Sequence, residues 1–225
     1  MKRIMIFSVL LAIALNTFAW GPKGHRIVAQ VAYDHLDSKA RKHVDAVLGT
    51  HGMIYLSTWP DEIKSDTIYP QSHDWHYQDL DGGLSDKDVT SKLVFYVHLM
   101  ADRFCPMHVA HLDDKGGNAV RMKWFGQNTN LHSVWDSKLV ENKGFSYTEY
   151  ANYLHDVYGK QYKHILRMTD SETLLHTYHL TSDLYTYQST WSGNAYHYIY
   201  HWTSAMEYQL YMAGIKLAQS LNDIF

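Results

Sequence analysis

The chain has 225 residues, 46% of them hydrophobic, enough for one sizeable core and closer to one domain than to two. Its formal net charge of −3, or −5 once Lys2 and Arg3 are gone, excludes the strongly basic class of nucleic-acid binders. It does not exclude proteins that meet phosphates through bound cations, which supply the positive field themselves. With Cys105 as the single cysteine there is no intrachain disulfide, and no disulfide-linked partner is expected.

The first segment reads as an export signal. Lys2 and Arg3 form a short basic region, Ile4 to Leu15 is almost wholly apolar, and Thr17 and Ala19 place small residues at −3 and −1 of a cleavage site before Trp20. The apolar run falls short of the roughly 20 residues of a bilayer span, which makes a membrane anchor the weaker alternative. Residues 1–19 are therefore expected to leave, residues 20–225 to form the domain, and the mature protein to lie in a periplasm or outside the cell without stable membrane association.

Downstream the periodicity is helical. Gly24 to Leu36 places Val28, Val31, Ala32 and His35 on one face, and Asp88 to Arg103 does the same with Val94, Val97, His98, Ala101 and Asp102 before Pro106 ends it. Leu131 to Val140, Ser146 to Val157, Asp170 to Tyr187 and Ala195 to Leu221 are further helices, with Tyr and Thr weakening the ends of the last two. Only Ala119 to Phe125, after Gly116-Gly117-Asn118, reads as a strand or short ribbon. The expected fold class is all-α: a single domain of packed helices with a short β-ribbon.

Sixteen histidines are many for this length, and spacing decides whether they carry chemistry or only a compositional habit. His98 and Asp102 are four apart, so both project from one helix face. His132 and Asp136 repeat the pattern, and His108 lies six beyond Asp102, past Pro106. Neutral imidazoles with carboxylates are a ligand set that zinc accepts. One such pair is weak, but two with a histidine between them point to a metal site. His197 and His201 have the same spacing without an acid, which favours aromatic packing or exposure, and His111 is a candidate for supporting a ligand.

The runs WGPKGHRIVAQVA from Trp20, STWPDEIK, HDWHYQDL, VHLMADRFCPMH, GGNAVRMKWFG and NLHSVWD occur in an order that resembles the single-strand-specific zinc nucleases of the S-one/P-one type. That family is related in fold to bacterial zinc phospholipase C. The resemblance covers essentially the whole chain after residue 19 and implies an all-helical fold with three zinc ions in one cleft. By matching motif, Asp61, His76, His98 and Asp102 would hold one ion, and His108, His132 and Asp136 a second. His25, Asp102 as a bridging carboxylate, and Trp20 through its α-amine and carbonyl oxygen would hold the third. An internal amide nitrogen is a poor ligand because its lone pair is delocalised, whereas a free amine is not, so cleavage after Ala19 would create the Trp20 donor.

The resemblance further implies hydrolysis of phosphodiester bonds in single-stranded DNA and RNA to 5′-phosphorylated products, with 3′-nucleotides as additional substrates. Asp61 would orient the attacking water, and Lys64 would neutralise a non-bridging oxygen, although a solvated surface lysine is an equal reading of the residue. Tyr77 would stack a base while Asp79 and Asn118 hydrogen-bond it; a duplex offers no free base face to such a platform. Two departures stand out. Many bacterial members carry His-Gln where this chain has Phe104-Cys105, and the family's later Trp-Ala-x-acid segment has no match around Tyr178 to Asp183. Since the three ligand sets are complete, Cys105 is expected to lie beside the site without binding metal. Two alternatives remain: a zinc phospholipase C, whose family favours Glu at the position of Asp136, and a non-catalytic zinc-binding protein on the same scaffold.

Overall fold

A computed structural model describes residues 20–64, 89–111 and 113–225. The expected export signal, 1–19, and His76, Tyr77 and Asp79 lie outside the described residues. Helix α1 (Pro22–Asp34) opens on Pro22, whose fixed φ suits a first helical turn and whose missing N–H costs nothing there. Its buried face carries Ile27, Val28, Val31 and Ala32, and His25 joins them near the start.

Helix α2 (Ser38–Leu48) follows, capped by the Asp37 carboxylate, which accepts the amide of Ala40 at 2.8 Å. The sequence reading places no element here. Only Ala40 and Val44 are buried in α2, too thin an apolar stripe to stand out from its charged neighbours. Two one-turn helices, α3 (Gly52–Leu56) and α4 (Trp59–Ile63), lead to α5 (Val89–Asp102) and a 3₁₀ turn (Pro106–His108).

The ribbon is a hairpin of β1 (Arg121–Trp124) and β2 (Gln127–Asn130), paired antiparallel from Arg121–Asn130 to Trp124–Gln127. Phe125 and Gly126 form its two-residue turn, both with positive φ (48° and 82°), as strands of right-handed twist require. The single predicted strand is therefore the first arm of a pair. Its second arm, Gln-Asn-Thr-Asn, carries no apolar pattern to announce it.

The predicted helix at 131–140 is composite: α6 (Leu131–Ser133), a π-helical turn (Val134–Lys138) and α7 (Leu139–Glu141). Asn130 caps it through Oδ1, which accepts the Ser133 amide at 2.7 Å. The π turn coincides with an outside partner, because the Asp136 carbonyl accepts the Gly21 amide at 2.8 Å.

Helices α8 (Tyr147–Tyr158) and α10 (Asp170–Thr190) both begin in capping boxes, Ser146 with Glu149 and Thr169 with Glu172; the short α9 (Tyr162–Arg167) lies between them. Burial pulls the last helix, α11 (Ala195–Ile224), into the centre: from Leu210 to Ala218 it is buried on every side. Helix α1 packs chiefly on α11 and then on α8, and the Trp135 indole N–H donates to the Tyr198 hydroxyl at 2.9 Å, tying the π turn to α11. The fold is all-α, as expected, with one hairpin among the described residues. Among the described residues no helix is long and apolar enough to cross a membrane.

The α1–α11 crossing depends on Gly214. A Cβ there would lie 2.5 Å from Val31 Cγ1 and 3.1 Å from the Val28 carbonyl oxygen. Alanine would gain about 1 kcal/mol in helix propensity but incur the roughly 1–3 kcal/mol of an overpacked core. The contact is partly backbone and cannot yield, so Gly214→Ala should be a net loss of about 1–2 kcal/mol by urea unfolding. A variant as stable as the parent would show that the two helices can separate freely.

Candidate metal centre

The start of α1, the end of α5 and helix α4 bring their polar groups to one buried point. His98 sits among Val94, Val97 and Ala101 on the inner face of α5, with Asp102 one turn on. His98 Nδ1 lies 2.8 Å from the Ser57 carbonyl oxygen, so Nδ1 carries the proton and Nε2 presents its lone pair. That Nε2 lies 3.4 Å from Asp102 Oδ2. His25 Nε2, from α1, lies 3.3 Å from Asp102 Oδ1, and its ring stacks on that of His98 with centroids 3.9 Å apart.

Each Asp102 oxygen thus faces one imidazole nitrogen, and neither accepts a hydrogen bond among the described residues. Asp61, in α4, completes the group: its Oδ2 is 3.9 Å from His25 Nε2 and its Oδ1 is 4.0 Å from His98 Nε2. Lys64 Nζ reaches Asp61 Oδ1 at 3.3 Å and its side chain is 9% exposed. The solvated-lysine reading of Lys64 does not describe that position.

The second cluster lies across the 3₁₀ turn and the π turn. His132 Nε2 is 3.0 Å from Asp136 Oδ2, and its Nδ1 is 2.7 Å from the Gly116 carbonyl oxygen, which again turns Nε2 inward. Gly116 holds φ +62°, and a Cβ on it would lie 2.4 Å from the Met107 carbonyl oxygen, so the loop approaches His132 this closely only with glycine there. The His108 and His132 rings are 5.3 Å apart. Donor atoms of Cys105, His108 and Asp136 all lie within 4.8 Å of one another, as do those of His25, His98 and Asp102. Cys105, set aside in the sequence reading, is therefore part of the constellation.

Electrostatics fit a cation. Burial first, then the neighbouring Asp61 and Asp136, push the Asp102 carboxyl well above its usual range. Burial likewise pushes Asp61 up to about 6 and Asp136 to about 7, with Lys64 and His132 respectively pulling back. Three buried carboxylates whose negative forms are disfavoured, facing imidazole lone pairs, make a donor set that a divalent ion would satisfy.

The other expected residues fall as follows. Trp20 is fully buried beside this region, with Gly21 bonded to the Asp136 carbonyl. Asn118 lies in the loop before β1, its Nδ2 donating to the Lys115 carbonyl at 2.8 Å. His76, Tyr77 and Asp79 are outside the described residues. His111 is exposed against the Tyr185 ring, and His201 stacks on Tyr187 away from the centre. The groups that sequence reasoning missed are the Ser57 and Gly116 carbonyls; backbone acceptors leave no side-chain signature to find.

The S1/P1 nuclease family model matches residues 20–89 and 80–225. Endonuclease 2 of Arabidopsis thaliana is 29% identical over an alignment of 180 positions, gaps included, that covers 61% of this chain and 62% of that protein. Endonuclease 3 of the same plant is 26% identical over 280 aligned positions that cover 99% of this chain and 95% of that protein. Nuclease S1 of Aspergillus oryzae is 27% identical over 185 aligned positions that cover 66% of this chain and 64% of that protein. The match thus spans less than two thirds of the length of Endonuclease 2 and of Nuclease S1.

Proposed function

The chain belongs to the S1/P1 nuclease family, and from that premise we propose that it is an exported zinc-dependent endonuclease cutting single-stranded DNA and RNA. The products would be 5′-phosphorylated, and 3′-nucleotides would be substrates of the same site. The observation that carries the reading is Asp102, whose two buried oxygens face His25 Nε2 at 3.3 Å and His98 Nε2 at 3.4 Å. In this reading residues 1–19 are removed and residues 20–225 form the working domain; the family match begins at Trp20.

Three zinc ions are proposed, held as the matching motifs imply: by Asp61, His76, His98 and Asp102; by His108, His132 and Asp136; and by Trp20, His25 and Asp102. When bound, closely spaced zinc ions polarise phosphoryl oxygens and make a shared water acidic enough to attack at neutral pH. The chain's own residues do the rest. Asp61 Oδ2, which accepts no hydrogen bond among the described residues, would orient the attacking water in line with the leaving 3′-oxygen. Lys64, next to Asp61 Oδ1, would place its ammonium on a non-bridging oxygen. The water oxygen bonds to phosphorus, the bond to the 3′-oxygen breaks, and the proton ends on that oxygen.

Tyr77 would supply the base platform, with Asp79 and Asn118 at the base edge. Stacking contributes roughly 1–3 kcal/mol per base, so Tyr77→Ala should raise KM about 5–150-fold on single strands while leaving the metal content unchanged. A KM within twofold of the parent would remove Tyr77 from substrate binding.

The reading as a whole is tested by counting zinc in the purified protein while assaying single-stranded DNA, RNA, duplex DNA and phosphatidylcholine. About three zinc ions per chain, with single-strand cleavage lost to a chelator and restored by zinc, would support it. Full zinc content with lipid cleavage alone would shift the substrate to a phospholipid. Full zinc content with no hydrolysis would leave a zinc-binding protein, and fewer than two ions would remove the site assignment.

A further inference from the structure

Cys105 is the chain's single cysteine and is fully buried. It stands at the joint between α5 and the 3₁₀ turn, in extended backbone (φ −83°, ψ 120°) directly before Pro106. Its amide donates to the Asp102 carbonyl at 2.9 Å and its carbonyl accepts the His108 amide at 2.9 Å, so the peptide bonds on both sides are fixed. That backbone aims the thiol at Asp136, where it donates to Oδ1 at 3.5 Å. Sγ, a His108 ring nitrogen and an Asp136 oxygen form one cluster within 4.8 Å.

Donor atoms around a tetrahedral zinc lie about 3.3–3.6 Å apart, given metal–nitrogen bonds near 2.0 Å and metal–sulfur bonds near 2.3 Å. The Sγ–Oδ1 pair already has that separation. Asp136, 3% exposed, and a His108 ring nitrogen complete a compact donor cluster around that sulfur, within 4.8 Å of one another.

We propose that Cys105 is a thiolate ligand of the second metal ion, joining His108, His132 and Asp136. This rests on the reading of the site as a zinc centre and adds a donor that the motif match does not include. On binding, the thiol proton passes to solvent and sulfur donates its freed electron pair to the ion. Four protein donors give this position the closed ligand count of a structural zinc site, so its ion should be the last to leave under a chelator.

The test is spectroscopic and needs no turnover. The protein is emptied with chelator and reloaded with cobalt(II), and the near-ultraviolet thiolate-to-cobalt charge-transfer band is recorded. The zinc form is measured by X-ray absorption. Wild type should show the band and a sulfur shell at about 2.3 Å. Cys105→Ser should lose both and hold its second ion about 10–100-fold more weakly, at least the effect of losing an outer partner. Full cobalt occupancy without the band, and no sulfur shell on zinc, would overturn the proposal while leaving the metal centre standing. Failure to retain any cobalt or zinc would overturn the metal reading and this inference with it. The wild-type spectra decide even if the serine variant does not fold.

Discussion

Asp102→Asn is expected to lower single-strand cleavage by more than the roughly 10²–10³-fold that loss of one preorganised hydrogen-bond donor costs, and to reduce the bound zinc by at least one ion per chain. Asp102 sets one carboxylate oxygen against each of two imidazole nitrogens, His25 Nε2 at 3.3 Å and His98 Nε2 at 3.4 Å, closer than Asp61 at 3.9 and 4.0 Å. Asparagine keeps the shape but presents one oxygen and one N–H₂ group. Its N–H can donate to the His98 lone pair, which is held inward by the bond from Nδ1 to Ser57. That bond forms without any ion. The variant should therefore fold, lose metal and lose activity together, with circular dichroism and metal analysis read on the same sample. Full zinc content with activity within tenfold of wild type would remove Asp102 from the centre of the site.

How much of this could be read from the chain depends on where each piece of information sits. His98 with Asp102 and His132 with Asp136 were legible because a four-residue spacing on a helix fixes a common face before any packing is known. The long helices were legible for the same reason, and α11 by its sustained apolar content. The π turn was not, since its Asp136 carbonyl is satisfied by Gly21 from more than a hundred residues away. Nor was α2, whose two buried residues give too little amphipathic contrast. Cys105 is the instructive case. Counting ligands against a motif made it superfluous, whereas the backbone on either side of Pro106 turns its sulfur to 3.5 Å from Asp136. Motif matching allots roles to positions already filled, and a further side chain beside them becomes visible only through distance.

Stripped of metal, wild type should become less stable relative to Asp102→Asn as the pH rises from about 4 to 7. Asp102 is held well above its ordinary 3.8 in the folded chain, Asp61 at about 6 and Asp136 at about 7. Between the unfolded and folded values the folded state keeps protons that the unfolded state has released, so rising pH favours unfolding. Asp61, held at about 6, changes stability by about 3 kcal/mol in full only above that value, but it does so in both proteins, so the difference between them reads Asp102. Other groups titrate nearby. The half-buried His35 and His176 are lowered from 6.5 by burial and work in the opposite direction, while the capping residues Glu149 and Glu172 act below 4.5. All four are shared by the two proteins, so the difference between their melting temperatures cancels them. Zinc should reverse the trend in wild type. The ion needs the deprotonated donors that rising pH supplies, and at a thousand times its Kd one site adds about 4 kcal/mol. Thermal unfolding in chelator and in zinc, at half-unit pH steps for both proteins, reads both effects. Parallel wild-type and variant curves in chelator would mean that Asp102 ionises at its ordinary value in the metal-free folded chain. A wild-type zinc curve that falls with pH as the chelator curve does would mean that these carboxylates do not meet the ion.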